Sequence, residues 1–396
     1  MRRELACITA VCAALVVFAD PNDPQITLVG SNQGFDRVVS VRYTLDEPAI
    51  VTFDVKTNGV SIGAENLKLA YGDVHRVVAA TGQGETRTLF WPAHEAWPDH
   101  RFGENVVSVE VTAWATNSPP DYMVIKLVGE DKGARTFYTA PEQLPGVGGV
   151  TNDMYKTDYL VMRRIPAAGK TFRMGSPSTE NGREASSFGK ETLHYVVLTN
   201  DFYIGVFELT QGQYYNLLGT TPASKPSYEY TPANPVSCVT ISAFLGTALP
   251  SIRSTISLPT LDLPTEAEWE FACRAGTLSA RYDGSESPSD STHLAWFSSG
   301  SSIHAYDVGL LIPNGYGLYD MYGNVSEVCL DFYVENYAQL GSTVIAPKDT
   351  TTGGKRVLRG GQLWWSGETY NRSAWRYYWG ATEVWMPFGY RLVCTF

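Results

Sequence analysis

The 396-residue sequence predicts an α+β chain of two domains, an all-β immunoglobulin-like sandwich followed by a loop-rich domain with few helices. Three observations carry this: two-residue alternation in the first third, capping boxes in the second half, and a Gly- and Pro-rich stretch between them. A chain this long exceeds one ordinary core, so two domains are the default.

Residues 1–19 read as a cleaved secretory signal. Arg2 and Arg3 precede a mainly apolar run from Leu5 to Ala19, about 15 residues against the roughly 20 of a membrane helix. Val17 and Ala19 supply the small residues before a cleavage site. The protein is therefore expected outside the cytoplasm, secreted or periplasmic. Removing Arg2, Arg3 and Glu4 leaves 28 basic and 40 acidic residues, a net charge of −12. An acidic chain without a basic run is a poor nucleic-acid binder, and no later run is long enough to span a membrane. The mature chain keeps Cys238, Cys273, Cys329 and Cys394. In an exported protein these suggest up to two disulfides, with buried thiols as the alternative.

Residues 20–127 read as strands. Val39 to Leu45 alternates apolar and polar residues, Ile50 to Val55 repeats the pattern, and Val106 to Trp114 and Met123 to Leu127 follow. Asp46-Glu47-Pro48, Asn58-Gly59 and Pro119-Pro120 supply turns at sandwich spacing. His94 and His100 flank Glu95 and Asp99, but a solvated loop explains them better than a metal site. Residues 128–155 are rich in Gly, Pro and charge and read as a linker. A strand from Tyr155 to Met162 then leads into the second domain, residues 156–396.

That domain has well-signalled helices. Thr210 with Gln213 forms a capping box before a short apolar stripe that Gly219 ends, and Thr265 with Glu268 forms another in LPTEAEWEFACRAG. Trp269, Ala272 and Cys273 share one face of this second helix, and Gly276 closes it. Ser242 to Leu249 suggests a third helix. The rest is aromatic- and glycine-rich loop, which calls for stabilisation by ions or disulfides.

Five segments of this half resemble the formylglycine-generating enzyme (sulfatase-modifying factor) family in the family's own order. They are FRMGS at 172–176, DFYIGVFELTQGQY at 201–214, LPTEAEWEFACRAG at 263–276, GLYDMYGNVSE at 317–327, and RVLRGGQ through GYRL at 356–392. The resemblance implies a C-type-lectin-like, loop-rich α+β fold. It also implies a structural calcium held by the side chains of Asp320 and Glu327 and the backbone carbonyls of Gly323 and Val325. Calcium takes several oxygen ligands and accepts carbonyls readily.

The family's oxidase chemistry is another matter. It uses two cysteines after the RGG turn to bind copper and activate oxygen, because soft thiolates suit copper(I). This chain has no cysteine between Cys329 and Cys394; Trp364, Trp365, Ser366, Glu368 and Tyr370 stand there instead. Copper is accordingly not expected. A related branch that uses non-haem iron is disfavoured as well, since the six histidines include no pair at helical spacing. The expected function is a catalytically silent module whose groove, around Trp364, Trp365, Glu368, Tyr370 and Arg372, takes a peptide or carbohydrate. The alternative is an active family enzyme, either oxidising a protein cysteine or using redesigned chemistry in the same groove. No residue is assigned a catalytic role.

Overall fold

A computed structural model describes residues 24–34, 36–100, 106–183, 191–222, 230–286, 292–296, 305–335, 343–345, 354–361, 368–383 and 388–395. The expected signal segment, Trp364 and Trp365 lie outside the described residues. The chain divides into two compact units, residues 1–123 with 135–152, and residues 124–134 with 153–395. Among the described residues no helix is long and apolar enough to cross a membrane.

The first unit is built from two antiparallel sheets. One runs in the order Ile26–Gln33, Val38–Leu45, Arg87–Pro92, Tyr71–Gly72. The other centres on Ala49–Thr57, which pairs along its length with Val107–Trp114 and at its ends with Val60–Ser61 and Val77–Val78. Alternation explains the packing: Val51, Phe53 and Val55 enter the core with Val41, Tyr43, Leu89 and Trp91, while Thr52 and Asp54 take the other face. Three of the four longest strands, Val38–Leu45, Ala49–Thr57 and Val107–Trp114, thus follow the alternation in the sequence to within a residue or two, whereas Ile26–Gln33 has no such signal. His94 lies in a single helical turn, Ala93–Ala96, and His100 stacks on Trp97 at 3.9 Å.

The stretch read as a linker is ordered. Residues 135–138 form a strand and 141–143 a 3-10 turn, with Phe137, Tyr138 and Leu144 buried. Three buried apolar side chains override a composition that reads as loop. The strand expected at Tyr155 begins instead at Tyr159 and runs to Ile165, because a 3-10 turn occupies Asp153–Lys156.

In the second unit, a mixed, sheet-rich fold with few helices, Tyr159–Ile165 pairs antiparallel with Phe202–Gly205. The C-terminal strand Val393–Cys394 pairs with Phe202–Gly205 on one side and Leu261–Asp262 on the other. A further sheet runs Arg376–Gly380, Lys355–Arg359, Ser326–Phe332, Phe388–Gly389. Both capping boxes form as expected, on helices Gln211–Leu218 and Glu266–Arg274. The third helix is longer than its signal: one helical run covers 241–255, with a π turn at Phe244–Ala248.

The expected disulfides are absent among the described residues. All four cysteines are buried as thiols, with Cys273 and Cys329 packed inside the apolar core as small hydrophobes.

Candidate functional site

Around the helix Glu266–Arg274 the interior is charged. Glu266, Glu270 and Arg274 recur every fourth residue, so they share one face, and all three are buried. Arg376 grips Glu266 through two contacts of 2.8 Å each. Arg359 reaches Glu270 at 2.5 Å and Glu266 at 3.3 Å, while Arg274 meets Glu270 at 2.8 Å. Burial raises the Glu270 carboxyl, but Arg274 and Arg359 outweigh it and leave the group below the usual carboxylate range. Such a lattice fixes the positions of Lys355–Arg359 and Arg376–Gly380 relative to the helix.

Arg372, expected to line a groove, belongs to the same interior. It is fully buried and ion-paired to Glu191 at 2.7 Å and Glu180 at 2.5 Å. An unpaired guanidinium at this depth would be strongly disfavoured, so its role is to anchor the loop ahead of strand Arg376–Gly380. Tyr370 ends a 3-10 turn, Glu368–Tyr370, half-buried against Trp375 with ring centres 5.8 Å apart.

Aromatic residues continue from there along the edge strand Arg376–Gly380. Trp375 is core at 2% exposure, but Tyr377, Tyr378 and Trp379 are only half-buried. Tyr377 stacks nearly parallel on Trp375 at 6.0 Å and on Tyr378 at 5.2 Å. The Lys355 ammonium lies 4.2 Å over the Tyr378 ring. Stacked, partly exposed rings beside a cation can receive the apolar face of a sugar or an extended peptide. Of the five groove residues expected, only Tyr370 is described as joining this surface.

The expected calcium residues come together in a second buried cluster. Asp320 and Asn324 hold left-handed backbone conformations that short polar side chains tolerate. At Gly323 a Cβ would meet the Trp296 carbonyl oxygen at 2.1 Å, so only glycine fits. Glu327 is clasped by Arg391 at 2.6 Å and takes the Trp269 indole N–H at 2.6 Å. Glu208, which no spacing in the sequence singles out, completes the cluster by accepting from Asn324 and from the Val325 amide. Its one signal is a glutamate inside the apolar run VFEL.

Three carboxylates therefore share one guanidinium. Burial, then the Asp320 and Glu327 charges, push Glu208 well above the carboxylate range, and burial takes Asp320 up to about 6. Asp320 Oδ2 accepts from Gly309, whereas buried Oδ1 has no partner among the described residues. The surplus charge and this orphaned oxygen fit a hard cation at Asp320. Glu327 fits less well, since Arg391 and Trp269 fill its oxygens. Among the described residues no three His, Cys, Asp or Glu side chains converge on a metal position, so carbonyls would have to complete the shell.

Burial pushes the Cys273 thiol up to about 12 and the Cys329 thiol well above its ordinary value, which disfavours the thiolate form of both. The Cys273 thiol lies 3.7 Å from the Ser373 hydroxyl and also meets the Tyr322 hydroxyl, and these two hydroxyls bond each other at 2.6 Å.

Residues 161–396 match the sulfatase-modifying factor enzyme 1-like domain family. A formylglycine-generating enzyme of Thermomonospora curvata is 38% identical over 114 residues, covering 26% of this chain and 38% of that protein. A serine/threonine-protein kinase, pkn1, of Chlamydia pneumoniae is 38% identical over 100 residues, 25% of this chain and 15% of the kinase. The chain thus spans well under half the length of these relatives. The solved structure of PvdO from Pseudomonas aeruginosa superimposes with a TM-score of 0.50 at 25% identity, covering 60% of this chain and 95% of that one. Because the family match takes in more than half of its length, the chain belongs to the sulfatase-modifying factor enzyme 1-like family.

Proposed function

We propose that the protein is an exported, non-oxidising member of its family that binds a peptide or carbohydrate through its aromatic edge strand. In this reading the C-type-lectin-like frame remains while the copper chemistry is gone. The observation that carries it is the cysteine-free stretch between Cys329 and Cys394, with Trp364, Trp365 and Tyr370 in the oxidase positions. Copper–thiolate oxidation needs accessible thiolates, whereas Cys273 and Cys329 are buried and their thiolate forms disfavoured. Titration with copper(I) and a cysteine-containing sulfatase peptide should give no oxygen uptake; turnover would overturn the proposal. On glycan and peptide arrays the chain should retain a ligand that Tyr378→Ala, Trp364→Ala or Trp365→Ala weakens about tenfold, the scale of one lost aromatic contact.

Calcium is part of the same proposal, as a structural ion held through Asp320 with the carbonyls of Gly323 and Val325. The buried Asp320 oxygen without a partner supports it. Added calcium should raise the melting temperature above that in chelator, and Asp320→Asn should remove the difference. In chelator above pH 6 the variant should melt higher than the parent. A carboxyl raised on folding contributes stability below its unfolded value and loses it as pH rises through about 6, and asparagine has no charge to repel Glu327. Equal melting with calcium and chelator would remove the ion from the proposal.

A further inference from the structure

The outer face of the first unit's second sheet is polar because of strand alternation, and part of it is recessed into a half-open cavity. Thr52 and Asp54 project there from Ala49–Thr57, and the ladder sets Thr112 opposite Thr52 and Trp114 opposite Ile50. The turn Pro141–Gln143 folds over this face. Between them lies a cavity of about 190 Å³ lined by Thr52, Asp54, Ser61, Thr112, Trp114 and Gln143, among others. An engineered cavity of about 150 Å³ takes a benzene, so this volume suits one six-membered ring.

The hydrogen-bonding capacity of the walls is partly unused. Gln143 is 3% exposed. Its Oε1 accepts from the Thr139 amide at 2.9 Å and hydroxyl at 3.0 Å, which fixes the amide orientation. Its Nε2 has no acceptor among the described residues. Asp54 Oδ1 takes the Val55 amide and the Ser61 hydroxyl, each at 2.8 Å, leaving Oδ2 to accept. The Trp114 indole donates to Thr52 at 2.8 Å, which pins the ring and leaves the Thr52 proton to be donated. Thr112 makes no side-chain hydrogen bond among the described residues.

We propose that the first unit binds a single neutral pyranose ring in this cavity. A sugar hydroxyl accepts and donates at one atom, so adjacent hydroxyls satisfy Gln143 Nε2 and Asp54 Oδ2 together. The indole covers the ring's C–H face, as pinned aromatics in ligand sites do. The Asp54 charge repels a uronic acid. This site is separate from the aromatic strand of the second unit and stands or falls independently of it.

Saturation-transfer NMR on the full chain, with methyl glycosides of glucose, galactose, mannose and N-acetylglucosamine, tests the assignment. At least one should bind at millimolar concentration or below, and glucuronate should not. Thr112→Val preserves shape and strand propensity, so it should fold; it and Gln143→Leu should each weaken binding about tenfold. Tyr378→Ala should leave this binding unchanged. No saccharide bound, affinity within twofold of the parent in both pocket variants, a preference for glucuronate, or loss in Tyr378→Ala would each overturn the proposal.

Discussion

Replacing Arg391 with methionine should destabilise the second unit by about 3–5 kcal/mol, the loss typical of a buried ion pair stripped of one partner. Whole domains are stable by only about 5–15 kcal/mol, so the loss is a large share of the total. Among the described residues Arg391 is the single guanidinium paired with Glu327, with Glu208 and Asp320 close enough to feel its charge. It also donates to the carbonyls of Gly205 and Val206 at 3.0 Å each and of Tyr319 at 2.8 Å. Methionine fills much of the volume but leaves a buried carboxylate with one indole donor and takes a donor from each of three carbonyls, of which Val206 keeps the Tyr319 amide. Lysine should recover only part of the loss, since an ammonium cannot grip Glu327 through two parallel bonds. Denaturant unfolding of the full chain checks this: a destabilisation below about 1 kcal/mol would mean that another cation or proton already neutralises the cluster. Adding Glu327→Gln to the methionine variant should restore part of the stability, because the stranded charge is then gone.

What was legible in the sequence was whatever is local. Both capping boxes lie within four residues, and both formed. Alternation marked Val38–Leu45, Ala49–Thr57 and Val107–Trp114, because one face of each meets a single apolar core, but not Ile26–Gln33 or Arg87–Pro92. The ordered stretch 135–144 escaped notice because Gly and Pro around it outnumber the three apolar anchors. The interior of the second unit was harder still. Trp269, Ala272 and Cys273 mark one buried face of their helix, but Glu266, Glu270 and Arg274 look like an exposed charged face. Their partners Arg359 and Arg376 lie 89 to 110 residues away, and no spacing rule joins them. Arg372 was misplaced for the same reason, since Glu180 and Glu191 are 192 and 181 residues distant. Family resemblance located Asp320, Gly323, Val325 and Glu327, whereas the role of Glu208 emerged only in three dimensions.

Glu270→Gln tests whether that charged interior is structural in its own right. The substitution keeps shape and volume while deleting the charge between Arg274 and Arg359. It also turns an acceptor end into an amide facing guanidinium N–H groups, so one end of glutamine must oppose a donor. The expected loss is about 3 kcal/mol, because two buried guanidinium groups then rely on Glu266 and on carbonyls. The pH dependence separates this charge effect from simple packing damage. Glu270 is held below the usual carboxylate range when folded, so its contribution is present above its unfolded value, roughly 4.3, and is lost as pH falls through the lower folded value. The parent should therefore lose stability on acidification below about pH 4 more steeply than the variant, and the two curves should converge. Parallel curves would assign the loss to packing. Combining Glu270→Gln with Arg359→Met should give a loss smaller than the sum of the single changes by at least about 1 kcal/mol, since removing both partners leaves less charge stranded than removing either one.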